Sequence, residues 1–372
     1  MINSHTHIFN VKCAPDRFYG LPVARFFSLV PQSARTLAKW FRRLYPWSDH
    51  DLLERYARML EVGSERRQQD IFERLLDHYA QYPHARMVVL TLDMDFMGAG
   101  EAVNNYLTQL CEVAEVKARY PEQMIAFFCA DPRRPDLMRQ LREFVPGRGF
   151  TGIKLYPALG FYPFDPALRP VYEYAVAHQL PIVVHCDTGG IFYRGPLTAA
   201  HLRPPSLNPA APSRDFTAYA SLKPGRFKDL FTDPAHFTDV LELSEFRSLK
   251  LCFAHFGGKE MIEEHSDSVT GSHWYLQIKE YMRKYPNVYA DISYTLRHTS
   301  GRVRDRLRAD MQDPLLGSRI LFGTDYYMTV REKEEPALVR EFLQGYGLDE
   351  AAFQQLAVIN NRRFVSTSFY RP

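Results

Sequence analysis

The chain has 372 residues, longer than an average domain and within the range of a single barrel with insertions. Hydrophobic residues at 46% and charged residues at 24% allow a large buried core, and a net charge of +3 without a long Lys or Arg run argues against a general nucleic-acid surface. The longest apolar runs, 87–92 and 124–130, are too short to cross a bilayer, so no membrane partner is expected.

Short apolar runs ending in a polar residue recur at 2–7, 87–93, 124–131, 152–156, 181–186, 250–255, 287–291 and 319–325. Each has strand length, and most are rich in β-branched or aromatic residues. Between them, 101–119, 135–145, 167–178, 236–246, 273–285, 301–311 and 332–343 carry helical period. This alternation fits a (β/α)8 barrel or a large doubly wound sheet. The steps from Ile2 to Met87 and from Pro181 to Lys250 are long against roughly 30 residues per barrel unit, whereas the others are ordinary. The pattern therefore predicts an α/β fold, a single TIM barrel over 1–372, with a helical insertion after strand 1 (about 12–82) and a long loop insertion after strand 5 (about 187–234).

Three apolar faces read as helices in the first insertion: Leu37, Trp40, Phe41 and Leu44, with Ser33 as N-cap; Leu52, Leu53, Tyr56 and Leu60; and Ile71, Phe72, Leu75, Leu76 and Tyr79. Arg35, Lys39, Arg42 and Arg43 form the solvated face of a lid helix. The second insertion is rich in Pro and Gly. Both follow strand C-termini, the active-site face of a barrel. Cys13, Cys111, Cys129, Cys186 and Cys252 are scattered with no C-x-x-C pair, so neither a zinc knuckle nor a disulfide scaffold is indicated. With no room for a signal peptide before His5, a reducing cytoplasm is the expected location.

Residues i and i+2 of a strand point the same way, so His5 and His7 project together near the mouth, where two imidazoles can share one divalent ion. His185, His255 and Asp325 close three other apolar runs. A buried ionisable group at such a place is costly unless paired or coordinated, and five of them are hard to explain as packing. Gly257-Gly258 reads as a tight turn beside this pocket, with no phosphate-loop pattern around it.

The segments SHTHIF, GIKLYPALGFYPFDP, LPIVVHCD, AHFGG, LFGTDYY and INNRRF, spanning Ser4 to Phe364, together resemble the amidohydrolase superfamily. The wording is closest to its branch containing aminocarboxymuconate-semialdehyde decarboxylase and related hydrolases. By that resemblance His5, His7, His185 and Asp325 hold one ion, most often zinc, with manganese as the alternative, and Asp325 and His255 perform proton transfer. Lys154 matches a position that is carboxylated and bridges two ions in some branches, which leaves a binuclear site open. In the branch resembled here the ion is usually single and the lysine faces substrate. Pairing of its ammonium with Asp93 or Asp131 is the plainer alternative. Arg194, Tyr156, Tyr326, Tyr327 and His298 follow strands at the mouth and are candidates for substrate contact.

The expected function is metal-dependent hydrolysis of a C–N or C–O bond, an amide or lactone, in a small molecule by a metal-activated water. A decarboxylase acting on a small, aromatic or unsaturated carboxylic acid uses the same residues and is the alternative. A barrel that binds metal without catalysis is the third reading. Exposed helix faces in the first insertion would suit a homodimer.

Overall fold

The computed structural model describes residues 1–18, 58, 59, 61–264 and 273–372. Eight parallel strands follow one another around the sheet in chain order: β1 Ile2–Thr6, β2 Arg86–Leu90, β3 Met124–Cys129, β4 Gly152–Leu155, β5 Pro181–Val184, β6 Lys250–Phe253, β7 Val288–Asp291 and β8 Ile320–Leu321. Only two residues of the expected 319–325 run form β8, because the chain beyond Leu321 turns its hydrogen bonds to the first strand. Ser4 N–H donates to Phe322 O at 2.9 Å, Asp325 N–H to His5 O at 2.8 Å and His7 N–H to Tyr326 O at 2.5 Å. These bonds join the first strand to the last and close the sheet into a barrel.

Alternation along the strands separates two cores. Val88, Leu90, Ile125, Phe127, Val183, Cys252, Tyr289 and Leu321 fill the barrel with Ile2, Phe364 and Val365, whereas Met87, Val89, Met124, Ala126 and Phe128 pack outward with the helices. Phe127 fits inside because its neighbour on β4 is Gly152; a Cβ there would lie 2.4 Å from the Phe127 ring.

The longer helices among the described residues are α1 Gln68–His78, α2 Tyr106–Arg119, α3 Leu137–Phe144, α4 Arg169–His178, α5 Trp274–Lys284, α6 Gly301–Gln312 and α7 Glu335–Tyr346. Local chemistry sets their ends. Asn105 caps α2 by accepting from Thr108 N–H at 3.0 Å, so that helix starts after the expected residue 101. Proline in the first turn opens α7, and Gly347 in the left-handed region ends it. Helix α1 carries the third apolar face expected in the first insertion, with Ile71, Phe72 and Leu75 fully buried. The other two faces, the Ser33 cap and the basic face with Arg35, Lys39, Arg42 and Arg43 lie outside the described residues.

The expected helix 236–246 is instead a short helix, Thr238–Leu241, between the 3-10 turns Pro234–Phe237 and Ser244–Phe246, because Leu243 is extended. The second insertion is largely irregular, with one turn of helix at Ala199–Leu202 and 3-10 turns at Thr217–Tyr219 and Lys228–Leu230. Tyr162 anchors it by stacking on Phe216 at 5.4 Å and tilting against Phe231 at 5.0 Å. All five cysteines are free thiols, and among the described residues no helix is long and apolar enough to cross a membrane.

Candidate metal centre

The first strand carries an irregularity that decides where its histidines point. Ile2 pairs with Arg86 and Asn3 with Met87, but Thr6 pairs with Val89, so β1 holds one residue more than β2 over this stretch. Without that bulge, His5 would share the parity of Asn3, which faces the helices. With it, His5 and His7 both line the cavity at the mouth. His255 is redirected by its own backbone. Strict alternation after Cys252 and Ala254 would send it outward, and its φ of 63° turns it back into the cavity. Asp325 also sits in the left-handed region, at φ 65°, and Tyr294 at φ 61°. Strain at three residues of one cavity wall marks a site that the surrounding fold over-determines.

His5 Nδ1 lies 2.9 Å from the Asp291 carboxylate, and His7 Nδ1 lies 2.9 Å from the carbonyl oxygen of Leu90. Both partners only accept, so each Nδ1 carries a proton and each Nε2 is left to face the cavity. These two Nε2 atoms lie 3.6 Å and 3.4 Å from the same oxygen of Asp325. The three ligand atoms thus converge on one point, all buried. Burial and the nearby charge of Lys154 push His5 down to about 3, so its ring is neutral near pH 7. Burial alone would raise Asp325, but contact with His7 and the neighbouring His5 hold its carboxyl below the ordinary value. Two imidazole Nε2 atoms and one carboxylate oxygen are a donor set that could hold a divalent ion of the zinc type.

Asp291 was not among the residues singled out in the sequence, although it ends the seventh apolar run as the other site residues end theirs. It accepts from His5, from the backbone N–H groups of His255 and Ser293 at 3.0 Å each, and from the Ser293 hydroxyl. Burial opposes its charge, yet these partners hold the carboxyl well below the usual range. With its lone pairs committed, Asp291 orients His5 rather than binding an ion through the wrong imidazole nitrogen. His255 Nδ1 donates to Ser293 O at 3.0 Å, which leaves its Nε2 to the cavity.

His185 stands on the adjacent wall. It stacks on Tyr156, with centroids 4.1 Å apart, and lies 5.1 Å from the His255 ring. Its Nε2 faces the carbonyl of Gly189 at 3.3 Å and therefore donates there, so the structure does not gather it with His5, His7 and Asp325. Burial lowers His185 well below its ordinary value.

Lys154 is fully buried inside the barrel, and its Nζ has no hydrogen-bond partner. The expected pairing with Asp93 or Asp131 does not occur, because Arg134 and Arg133 occupy those carboxylates at 2.7 Å and 2.6 Å. Its Nζ instead lies 5.5 Å from the centre of the Tyr156 ring, and burial lowers it to about 8.

The cavity above these groups measures about 430 Å³, the scale of a small-molecule site. Tyr156 is on its wall. Arg194, His298, Tyr326 and Tyr327 are not: Arg194 lies 4.6 Å over the Phe192 ring, Tyr326 is buried against His78, and the Tyr327 hydroxyl donates to Phe9 O. The cations on the wall are Lys259, Arg297 and Arg331. Arg297 and Arg331 flank the Tyr294 ring at 4.2 and 5.2 Å and share the Glu332 carboxylate. Both end short 3-10 turns, Thr295–Arg297 and Met328–Arg331, too short for a hydrophobic period to give a signal. Behind the turn, Gly258 at φ 91° leaves room for Asp187, whose carboxylate would lie 2.8 Å from a Cβ at that position.

The fold is an eight-stranded parallel barrel whose mouth gathers three buried side chains that could hold a metal ion. The family model described as Amidohydrolase matches residues 2–366, and the chain belongs to that family. A search of curated proteins gives no match. Among solved structures, the chain is similar to an uncharacterized TIM-barrel protein from Bordetella bronchiseptica, with 17% identity, TM-score 0.55 and 98% of each chain covered. It is also similar to a 2,6-dihydroxybenzoate decarboxylase complexed with 2,6-dihydroxybenzoate, with 15% identity, TM-score 0.55 and coverage of 98% of this chain and 99% of that one. A probable 2-pyrone-4,6-dicarboxylic acid hydrolase from Acinetobacter baumannii matches with 10% identity, TM-score 0.50 and coverage of 79% and 88%. At these identities the likenesses concern the fold.

Proposed function

We propose that the protein is a metal-dependent hydrolase that cleaves a C–N or C–O bond, an amide or a lactone, in a small anionic molecule. The observation that carries this reading is the convergence of His5 Nε2, His7 Nε2 and an Asp325 oxygen at the floor of the cavity, with both Nδ1 atoms already committed. His5, His7 and Asp325 would hold a single divalent ion, zinc or else manganese, which would supply a water of lowered pKa and a charge that polarises a substrate oxygen. His185 would be the fourth ligand, once its Nε2 leaves Gly189. Asp325 would accept the proton of the attacking water and return it to the leaving group, and His255, whose ring lies 5.0 Å from that of His5, would orient that water. Arg297, Arg331 and Lys259 give the wall its affinity for an anionic group, and Tyr156 offers a ring face. Five unpaired thiols suit a reducing compartment.

Lys154 favours a second reading on the same residues. Its ammonium lacks a hydrogen-bond partner and lies near Asp325 but off the cavity wall, so its charge would favour a carboxylate bound in the cavity, where a decarboxylase would have His255 pass a proton to carbon. A panel of carboxylated amides, lactones and aromatic acids tests both, with metal-loaded protein and detection of released CO2. Ring opening or amide cleavage without CO2 supports the hydrolase; CO2 release replaces it with the decarboxylase. Protein that takes up zinc or manganese but turns over none of the panel leaves the non-catalytic metal-binding barrel.

A further inference from the structure

The three converging side chains come from opposite sides of one seam: His5 stands on β1 with His7 just beyond it, and Asp325 follows β8. That seam has little ladder of its own, since β8 is two residues long. A buried polar network spans it instead. Asn3 Oδ1 accepts from the backbone N–H of His5 at 3.3 Å and of Thr324 at 3.0 Å, tying together the two segments that carry the ligands. Asn3 Nδ2 donates to the Thr324 hydroxyl at 2.7 Å and the Tyr79 hydroxyl at 3.0 Å. Both hydroxyls then donate to one oxygen of Glu335, at 2.6 Å each. Glu335 lies at the start of α7 with no solvent exposure, and its other oxygen has no partner.

A lone buried carboxyl is costly, and here a single oxygen of it is the terminal acceptor for every hydroxyl in the network. If that acceptor is removed, Thr324 and Tyr79 lose the partner that orients them, Asn3 loses its fixed amide, and His5 and Asp325 lose their common reference. We infer that Glu335 is a positioning residue for the metal triad, which acts through Thr324, Tyr79 and Asn3 to set the separation of His5 from Asp325 across the β1–β8 seam. This assignment rests on the metal reading above. It also makes Tyr79, just after α1, the link between the first insertion and the metal floor.

The test measures zinc affinity by competition with a chromophoric chelator, alongside thermal unfolding of the metal-free proteins. Glu335→Ala is expected to weaken zinc binding about tenfold or more, the usual range for a residue that orients ligands. Glu335→Gln, whose amide oxygen still accepts from both hydroxyls, restores affinity to within a few-fold of wild type. Thr324→Val keeps shape but removes one donor and weakens zinc several-fold, which serves if the alanine variant does not fold. Tyr172→Phe, which deletes a buried bond to Pro163 O between β4 and β5, lowers stability and leaves zinc affinity unchanged. Glu335→Ala or Thr324→Val protein that is less stable but binds zinc as tightly as wild type overturns the assignment. Wild-type protein that binds no zinc overturns the metal reading itself, and this assignment with it.

Discussion

Two sets of ionisable residues close neighbouring strands at the mouth of the barrel, and they are built differently. Beyond β2 and β3, Asp93 and Asp131 are buried, and each meets an arginine fork: Arg134 on both oxygens of Asp93 at 2.7 and 2.8 Å, Arg133 on both oxygens of Asp131 at 2.8 and 2.6 Å. Every acceptor there is answered by a protein donor at hydrogen-bond length. Across the β1–β8 seam, the imidazoles and the carboxylate approach only to 3.4 and 3.6 Å, with their outer nitrogens already bonded. The first set is closed by its own short bonds; in the second the three atoms face one another at wider spacing, which on the proposed reading is room for an ion. A polar residue at the end of a barrel strand is therefore not by itself a sign of chemistry. Converging atoms whose partners the protein does not supply are the sign.

The sharpest way to break this contrast is to alter one carboxylate from each set. Asp325→Asn keeps shape but removes both a charged ligand and the base, so turnover should fall by about 10²- to 10⁴-fold while the unfolding midpoint stays close to wild type. Full activity in that variant would sink the mechanism. Asp93→Ala should do the reverse. It strands Arg134, which keeps only Asp95 at 2.8 Å, and should cost about 3 kcal/mol of unfolding free energy. Burial pushes Asp93 up to about 7, so the measurement belongs at pH 8, where the carboxyl is ionised. Bound metal per chain should not change. A loss of metal in Asp93→Ala would mean that the two sets are not separate.

Removing the ion tests the same distinction more gently. Protein purified without added metal should contain one ion per chain by elemental analysis, and chelation should abolish turnover without unfolding. Restoring zinc to about one hundred times its Kd should raise stability by about 2.7 kcal/mol. Lys154→Met should leave the count at one. Two ions in wild type and one in that variant would instead establish a bridging, carboxylated lysine.

Much of this was legible in the chain, and the gaps have physical causes. All eight strands lie where apolar runs end in polar residues, because a barrel strand must bury both of its faces and then deliver a side chain to the mouth. His5, His7 and Asp325 stood out for that reason. The β1 bulge did not: alternation from Ile2 places His5 outward, and only the pairing register shows the extra residue. Asp291 was passed over because a carboxylate that orients a histidine leaves no spacing pattern. Arg297, Arg331 and Glu335 sit at the ends of short 3-10 turns or at a helix start, where neither the two-residue nor the 3.6-residue period has meaning. The pairing of Lys154 with Asp93 or Asp131, the plainer alternative to a substrate-facing ammonium, does not form, because three-dimensional packing gives those carboxylates to Arg134 and Arg133.

The smallest expected effect probes what lies beneath the seam rather than the ligands themselves. Burial raises the Glu335 carboxyl to about 7, against the pull of Thr324 and Tyr79, from an ordinary value near 4.5. The folded chain therefore binds this proton more tightly than the unfolded chain does. That contribution to stability is fully present below about pH 4.5 and is lost as pH rises through about 7. In metal-free protein, wild type should lose on the order of 2 kcal/mol more than Glu335→Gln between pH 5 and pH 8, as measured by denaturant unfolding. Asp93 titrates over the same range but is present in both proteins, so it cancels in the difference. Parallel stability curves would show that the Glu335 carboxyl is already ionised at pH 5, and that the network beneath the metal floor holds a charge rather than a proton.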